Sequence, residues 1–260
     1  MAVLGTESGR LDHRVALITG AGSGIGRAMA EEFAARGASI AACDLVAGTS
    51  EETVELALRA GAPSAVALTA DVSVAGDVAR AVDEAIAALG RVDILCSNAG
   101  VLDDYRDALA CTEEQWDRVF GVNLKATWLM SRAVLPGMLE RESGCIIVTA
   151  SVAGMVAGGG GVAYTASKHG VIGLMRQLAY DHAAKGVKVN AICPGVVQTG
   201  MTQPLFDDPE SVMYEFIPAI PSATWAQPQE IAKLAALIAS DDVPFMHGAC
   251  VVADGGWTMK

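Results

Sequence analysis

Residues Arg14–Gly26 read RVALITGAGSGIG, and this stretch decides the architecture. Arg14 to Thr19 is an apolar run of the length expected for a buried strand. Gly20, Gly22, Gly24 and Gly26 follow at once, then a helical apolar pattern to Arg36 that stops at Gly37. Strand, glycine turn and helix in that order open a βαβ unit. The glycines leave room for a pyrophosphate at the helix N-terminus, where unpaired N–H groups and the helix dipole favour an anion. The spacing is G-x-x-x-G-x-G, not the commoner G-x-G-x-x-G, and no Gly-Lys-Ser/Thr follows as a Walker loop requires. Taken alone, the stretch is as easily a tight turn as a nucleotide loop.

Moving outward, Ser39 to Cys43 is a second apolar run with Asp44 at its carboxyl end. A carboxylate there can accept both hydroxyls of an adenine ribose and repels a 2′-phosphate, so it predicts NAD(H) over NADP(H). Ser23 and Leu45 stand where a phosphate would call for Arg or Lys. Thr49 and Glu52 have capping-box spacing and predict a helix from Thr49 to about Ala60. Further strands are expected at Ala65–Ala70, Val92–Cys96, Cys145–Thr149, Lys188–Cys193 and Ala249–Ala253. Helices are expected over 75–89, from a Thr112 cap to about Leu139, over 163–184, and from Pro228 to about Ala239. Seven apolar strands alternating with helices predict an α/β fold. It is a doubly wound, Rossmann-type parallel sheet with helices on both faces. No linker or internal repeat divides the chain, so residues 1–260 are expected to form a single domain. Ligands of such sheets bind beyond the carboxyl ends of the strands. Gly20–Gly26, Asp44, Asp71, Asn98, Ser151 and Pro194-Gly195 all fall at those ends.

Composition narrows the function. The net charge of −12 argues against a nucleic-acid partner and against an acidic membrane surface. The six cysteines include no C-x-x-C pair and no His cluster, so no metal is expected. Four of them (Cys43, Cys96, Cys145 and Cys193) lie in or at the ends of strand-like runs, which predicts buried thiols and a cytoplasmic protein. Residues 1–13 show no apolar core of a signal peptide. Residues 144–167 are uncharged, but their six glycines and their Ser and Thr content exclude a membrane span.

Tyr164 and Lys168 are four apart in a helical pattern and share a face. A free tyrosine titrates near ~10, and bringing it to ~7 takes roughly 4 kcal/mol. One positive charge at about 4 Å supplies roughly that at an effective dielectric near 20. The pair is therefore a route to a proton donor or acceptor working at neutral pH. The bland reading is a surface pair. The chain's other tyrosines are followed at the fourth position by Leu109, Ala184 and Pro218.

Together these residues resemble the short-chain dehydrogenase/reductase family in its compact form, from Thr19 to Gly256. The resemblance rests on Thr19-Gly20-x-x-x-Gly24-Ile25-Gly26, Asp71-Val72, Asn98-Ala99-Gly100 and Pro194-Gly195-x-x-x-Thr199. Ser97 stands where that family usually has Asn. The resemblance implies a cofactor site of Gly20, Gly22, Ser23, Gly24, Ile25, Gly26, Asp44, Asp71, Val72, Asn98, Ala99, Gly100, Pro194, Gly195, Val197 and Thr199, shared with Tyr164 and Lys168. It also implies a catalytic set of Asn123, Ser151, Tyr164 and Lys168. Tyr164 would exchange a proton with the substrate oxygen and Ser151 would hold that oxygen. Lys168 would bind the nicotinamide ribose and lower the tyrosine pKa, and Asn123 would keep a relay water near Lys168. The family's habit further implies a homotetramer, with helices 112–139 and 163–184 and the Trp257 region at interfaces.

The substrate is left to segments 101–111, 152–162 and 199–224. The last reads as a lid with an acidic rim (Asp207, Asp208, Glu210, Glu215) and no Lys or Arg. Gly158–Gly161 would leave the pocket wall open, or would simply be flexible. A neutral, apolar secondary alcohol or ketone is expected. Rival readings are a 3-oxoacyl-thioester reductase using NADPH and, from another class, a non-catalytic NAD-binding regulator.

Overall fold

The computed structural model describes residues 9–208, 210–211 and 213–259. Seven strands form one sheet: β1 Val15–Thr19, β2 Ser39–Asp44, β3 Ala65–Thr69, β4 Ile94–Ser97, β5 Gly144–Thr149, β6 Val187–Pro194 and β7 Cys250–Ala253. Their order is β3-β2-β1-β4-β5-β6-β7, and every neighbouring pair is parallel. This is the Rossmann arrangement. The winding reverses between β1 and β4, which opens a crevice at their carboxyl ends.

Side-chain alternation sorts the strands into two cores. Ala16, Ile18, Ile40 and Ala42 point to one face, and Leu17, Ala41 and Cys43 to the other. The first face is covered by α1 (Gly24–Ala35), α2 (Ala47–Ala60) and α9 (Pro228–Ala239). The second is covered by α3 (Ala75–Leu89), α5 (Ala126–Glu140) and α6 (Val162–His182). The remaining helices are α4 (Glu113–Phe120), which packs on α6, and the short α7 (Gln203–Asp207) and α8 (Met213–Ala219). Cys43, Cys96, Cys145 and Cys193 are buried in strands, and all six cysteines are free.

Three elements depart from expectation. The capping box at Thr49 and Glu52 does not form, because α2 begins two residues earlier at Ala47. Thr49 instead donates to the Val46 carbonyl at 2.8 Å, and Glu52 pairs with Arg27 at 2.7 Å. The helix beginning at Thr112 runs on to Glu140 as expected, but it is not α-helical throughout. Thr112 does cap it, accepting from the Gln115 N–H at 3.2 Å, but Gly121–Lys125 form a π-helical turn between α4 and α5. Such a turn holds one extra residue and re-aims the side chains within it. Segment 199–224, the expected lid, carries α7 and α8, two short helices that the sequence reading did not place. Among its acids, the side chain of Glu215 lies outside the described residues.

Candidate active site

The turn from β1 to α1 is shaped by close approach. Gly20 has φ +63°, and a Cβ on it would stand 2.9 Å from the Ala99 Cα. A Cβ on Gly26 would run into the Gly20 carbonyl, and one on Gly22 would lie 2.7 Å from the Asp44 carboxyl carbon. Helix α1 then begins at Gly24 with no side-chain cap and no acidic residue in its first turn. Its unpaired N–H groups are thus left to an anion. The adjoining β4 end is fastened by Thr19, whose Oγ1 accepts from the Asn98 and Ala99 N–H groups at 3.0 and 3.1 Å.

Asp44 ends β2 beside this turn. Its carboxylate accepts from the Gly22 N–H at 2.8 Å and the Val46 N–H at 3.2 Å. A carboxylate has about four acceptor positions, so capacity remains for ribose hydroxyls. Leu45 beside it is exposed. Arg27, the nearby cation on α1, is committed to Glu52, Thr53 and the Gly22 carbonyl. Asp71 accepts from the N–H and hydroxyl of Ser73 at 2.9 and 2.7 Å. An uncapped helix start, a glycine cradle and a carboxylate at the β2 end fit the phosphates and ribose of a dinucleotide.

These parts open on a cavity of about 680 Å³. Every residue expected in the site lines it except Gly22, Gly26 and Asn123. The two glycines lie behind the turn. Asn123 is buried one layer deeper, in the π turn, with its side chain held by three hydrogen bonds and one lone pair of Oδ1 left over. Its Oδ1 accepts from the Val101 N–H at 2.9 Å, and its Nδ2 donates to the Val101 carbonyl and the Ser167 hydroxyl, both at 3.1 Å. Ser167 donates in turn to the Tyr164 carbonyl at 2.8 Å. Asn123 therefore ties the β4 loop to α6. Ser97, which replaces the usual Asn, donates to Thr127 at 3.0 Å, and Thr127 donates to the Asn123 carbonyl at 3.0 Å.

Tyr164, Ser151 and Lys168 meet at the cavity floor. Lys168 is 4% exposed and donates to the Thr149 carbonyl at 2.8 Å; its Nζ sits over the Tyr164 ring, 5.6 Å from the centroid. Burial pulls the Lys168 ammonium down to about 8. Burial also pushes the Tyr164 phenol up to about 12; the Ser151 hydrogen bond opposes this, while Tyr105 and Asp103 add to it. The sequence expectation of a phenol brought toward 7 by Lys168 is thus not met by the chain alone. The ammonium is anchored to a carbonyl, and desolvation dominates both groups. At neutral pH the site holds a neutral phenol beside a mostly charged lysine.

Two residues in this neighbourhood escaped the sequence reading. Asp103 is fully buried, and its carboxylate accepts from the Gly161 and Tyr164 N–H groups, both at 2.9 Å. It caps the N-terminus of α6 from another loop, where a negative charge suits the helix dipole. The approach is so close that a Cβ on Gly161 would stand 2.5 Å from the Arg106 carbonyl. Beyond it, Asp104 and Tyr105 adopt φ +54° and +57°. Left-handed backbone costs about 1–2 kcal/mol for each non-glycine residue. The consequence is that Tyr105 lines the cavity.

The substrate end is mostly apolar, with Leu102, Val152, Met201, Met213, Phe216 and Trp257. Trp257 packs on Phe216 at 5.7 Å. The four glycines divide. Gly158 and Gly159 line the cavity, whereas a Cβ on Gly160 would strike the Tyr164 ring and one on Gly161 the Asp103 loop.

The family model described as enoyl-(acyl carrier protein) reductase matches residues 20–258. The chain belongs to the short-chain dehydrogenase/reductase family of oxidoreductases. It is 39% identical over 247 residues to 2-(R)-hydroxypropyl-CoM dehydrogenase of Xanthobacter autotrophicus, covering 94% of this chain and 98% of that one. It is 42% identical over 256 residues to D-threitol dehydrogenase of Mycolicibacterium smegmatis, covering 96% and 95%. A candidate NAD(P)-dependent gluconate 5-dehydrogenase from Beutenbergia cavernae, solved with NADP at low occupancy, superposes with a TM-score of 0.91. The two are 38% identical, with 97% of this chain and 100% of that one covered.

Proposed function

We propose that this chain is an NAD-dependent dehydrogenase that interconverts a neutral, largely apolar secondary alcohol and its ketone. The observation that carries the reading is the convergence of Ser151, Tyr164 and Lys168 at the floor of a cavity whose other end is the glycine cradle. A bound nicotinamide supplies or accepts the hydride. In reduction Tyr164, neutral at pH 7, gives its proton to the ketone oxygen; in oxidation the phenol first loses its proton outward past Lys168, and the phenolate then takes the proton of the alcohol. The Ser151 hydroxyl holds that oxygen. Lys168 keeps positive charge beside the phenol, which favours phenolate as the proton leaves. Asn123 and Ser167 fix the tyrosine's helix against the β4 loop, and a water between Asn123 and Lys168 relays protons outward.

Asp44, with Leu45 beside it and Arg27 already paired, supports NAD(H) over NADP(H). The cations lining the cavity, among the described residues, are Lys168 and Arg118. Arg118 lies one helical turn before Gly121, where an added Cβ would meet the Ser73 side chain at 3.5 Å, and Ser73 bonds Asp71, so we assign Arg118 to the adenine end. This supports an uncharged substrate. The whole chain would act as one domain in the cytoplasm, with 199–224 closing over the substrate.

No helix among the described residues is long and apolar enough to cross a membrane. The exposed Trp128 beside Gly170 and Leu174 supports association through the α4–α6 face as a homotetramer, and light scattering would read this as four chain masses. The function is tested with a panel of secondary alcohols, diols, sugars and hydroxyacyl thioesters against NAD+ and NADP+. Turnover of neutral alcohols with higher kcat/KM for NAD+ is expected. No reduction of either cofactor, with tight NADH binding, would instead make the chain a non-catalytic NAD-binding protein.

A further inference from the structure

Tyr105 is built into the cavity at a cost and has no task within the protein. Its backbone and that of Asp104 are left-handed, at φ +57° and +54°. The loop is held there from both sides. Asp103 is clamped to the N-terminus of α6 through Gly161 and Tyr164, and the Val162 N–H donates to the Arg106 carbonyl at 2.9 Å. Gln115 adds a bond from its side chain to the Asp103 carbonyl at 3.1 Å. Strained backbone persists only where the surroundings over-determine it, and it clusters at ligand sites. Tyr105, so held, lines the same cavity as Tyr164 and Ser151. Among the described residues, the Tyr105 hydroxyl has no hydrogen-bond partner.

A ketone oxygen does not need this third hydroxyl. A carbonyl oxygen has two lone pairs, and the Ser151 and Tyr164 hydroxyls account for both. The remaining wall is apolar, with Leu102, Val152, Met201, Met213 and Phe216. A polar tip among such groups selects for a polar atom on the ligand, because a ligand lacking it leaves the hydroxyl desolvated and unpaired.

From this we infer that Tyr105 is a specificity-determining residue that hydrogen-bonds a second oxygen on the carbon next to the reacting one. The substrate class is then a vicinal diol and its α-hydroxyketone, with an apolar remainder. Tyr105 is not part of the proton-transfer pair and touches the substrate away from the bond that changes. Its closeness to the reacting phenol is consistent with its raising the Tyr164 pKa.

The inference rests on the proposed dehydrogenase activity, and Tyr105→Phe tests it. Phe keeps the ring and removes only an unpartnered hydroxyl, so the variant should unfold at the wild-type temperature. NAD+ reduction is compared for butane-2,3-diol (meso and racemic) and butan-2-ol. The wild type should prefer a diol. The variant should lose about tenfold in kcat/KM for that diol and stay within about twofold for butan-2-ol. An equal fall for both substrates, no fall for either, or a wild type indifferent to the second hydroxyl overturns the assignment of Tyr105. Absence of turnover with either alcohol overturns the dehydrogenase reading itself and this inference with it.

Discussion

Removing the Asp103 carboxylate separates a structural cap from a catalytic one. Asp103 is fully buried and accepts two backbone N–H bonds at 2.9 Å, one of them from Tyr164 itself. Hydrogen bonds to a charged acceptor contribute about 1.5–3 kcal/mol each, and two amides left bare in the interior lose that in full. Relief of carboxylate desolvation offsets part of the loss. We expect Asp103→Ala to destabilise the protein by about 2–4 kcal/mol, the upper range of an N-cap deletion and beyond. For a chain of this length that is about 4–8 °C in Tm. Asp103→Asn keeps one acceptor and should lose about half as much. The charge has a second effect that a plain cap would not have. Asp103 raises the Tyr164 pKa, so Asp103→Asn should lower it from about 12. Urea unfolding reads the first effect. Ultraviolet titration of phenolate, taken as the difference between each protein and its Tyr164→Phe counterpart, reads the second. A loss under about 0.5 kcal/mol for Asp103→Ala, the range of an ordinary surface change, would refute the argument. So would an unmoved Tyr164 titration in Asp103→Asn.

Three further outcomes follow from the same geometry. Lys168 titrates near 8 when folded, below its unfolded value, so its burial cost is carried in full below pH 8 and is relieved as pH rises toward about 10.5. Wild type minus Lys168→Met should therefore gain about 2 kcal/mol between pH 7 and 9.5 in urea unfolding, and a flat difference contradicts a depressed lysine. Asp44→Ala with Leu45→Arg should lower the ratio of kcat/KM for NAD+ over NADP+ by tenfold or more, read with one common alcohol; an unchanged ratio means Asp44 does not discriminate. Gly160→Val should depress kcat for all substrates alike, because its side chain strikes the Tyr164 ring, whereas Gly158→Ala, which adds a methyl at the cavity wall at some cost in stability because φ there is +91°, should alter substrate range with kcat for small alcohols preserved. A selective effect of Gly160→Val would reverse that division.

The sheet was legible because parallel strands buried on both faces must be apolar throughout, and such runs stand out between glycine turns. Boundaries failed where tertiary partners outbid local ones. Glu52 left its capping box for Arg27, whose helix crosses above it, and Thr49 turned to the Val46 carbonyl. The π turn around Asn123 carries no periodic signal, since one inserted residue leaves the apolar spacing on either side intact. Asp103 and Tyr105 were hidden for another reason. The partners of Asp103 lie 58 and 61 residues away in sequence, and only the fold sets that loop, Tyr105 with it, against α6. One trace was readable afterwards: Gly161, which has to be glycine because the Arg106 backbone passes so close. The tyrosine pKa was misjudged because a pairwise charge argument omits desolvation, the larger effect on Tyr164.

The central claim is that Tyr164 moves the proton in a hydride transfer. Its most direct test is Tyr164→Phe assayed for alcohol oxidation, with NADH affinity measured separately by fluorescence titration. The account predicts a loss of about 10²–10⁴ in kcat, the worth of a positioned acid–base group, with the NADH Kd unchanged within about twofold. A variant that binds NADH normally and keeps most of its turnover would contradict it.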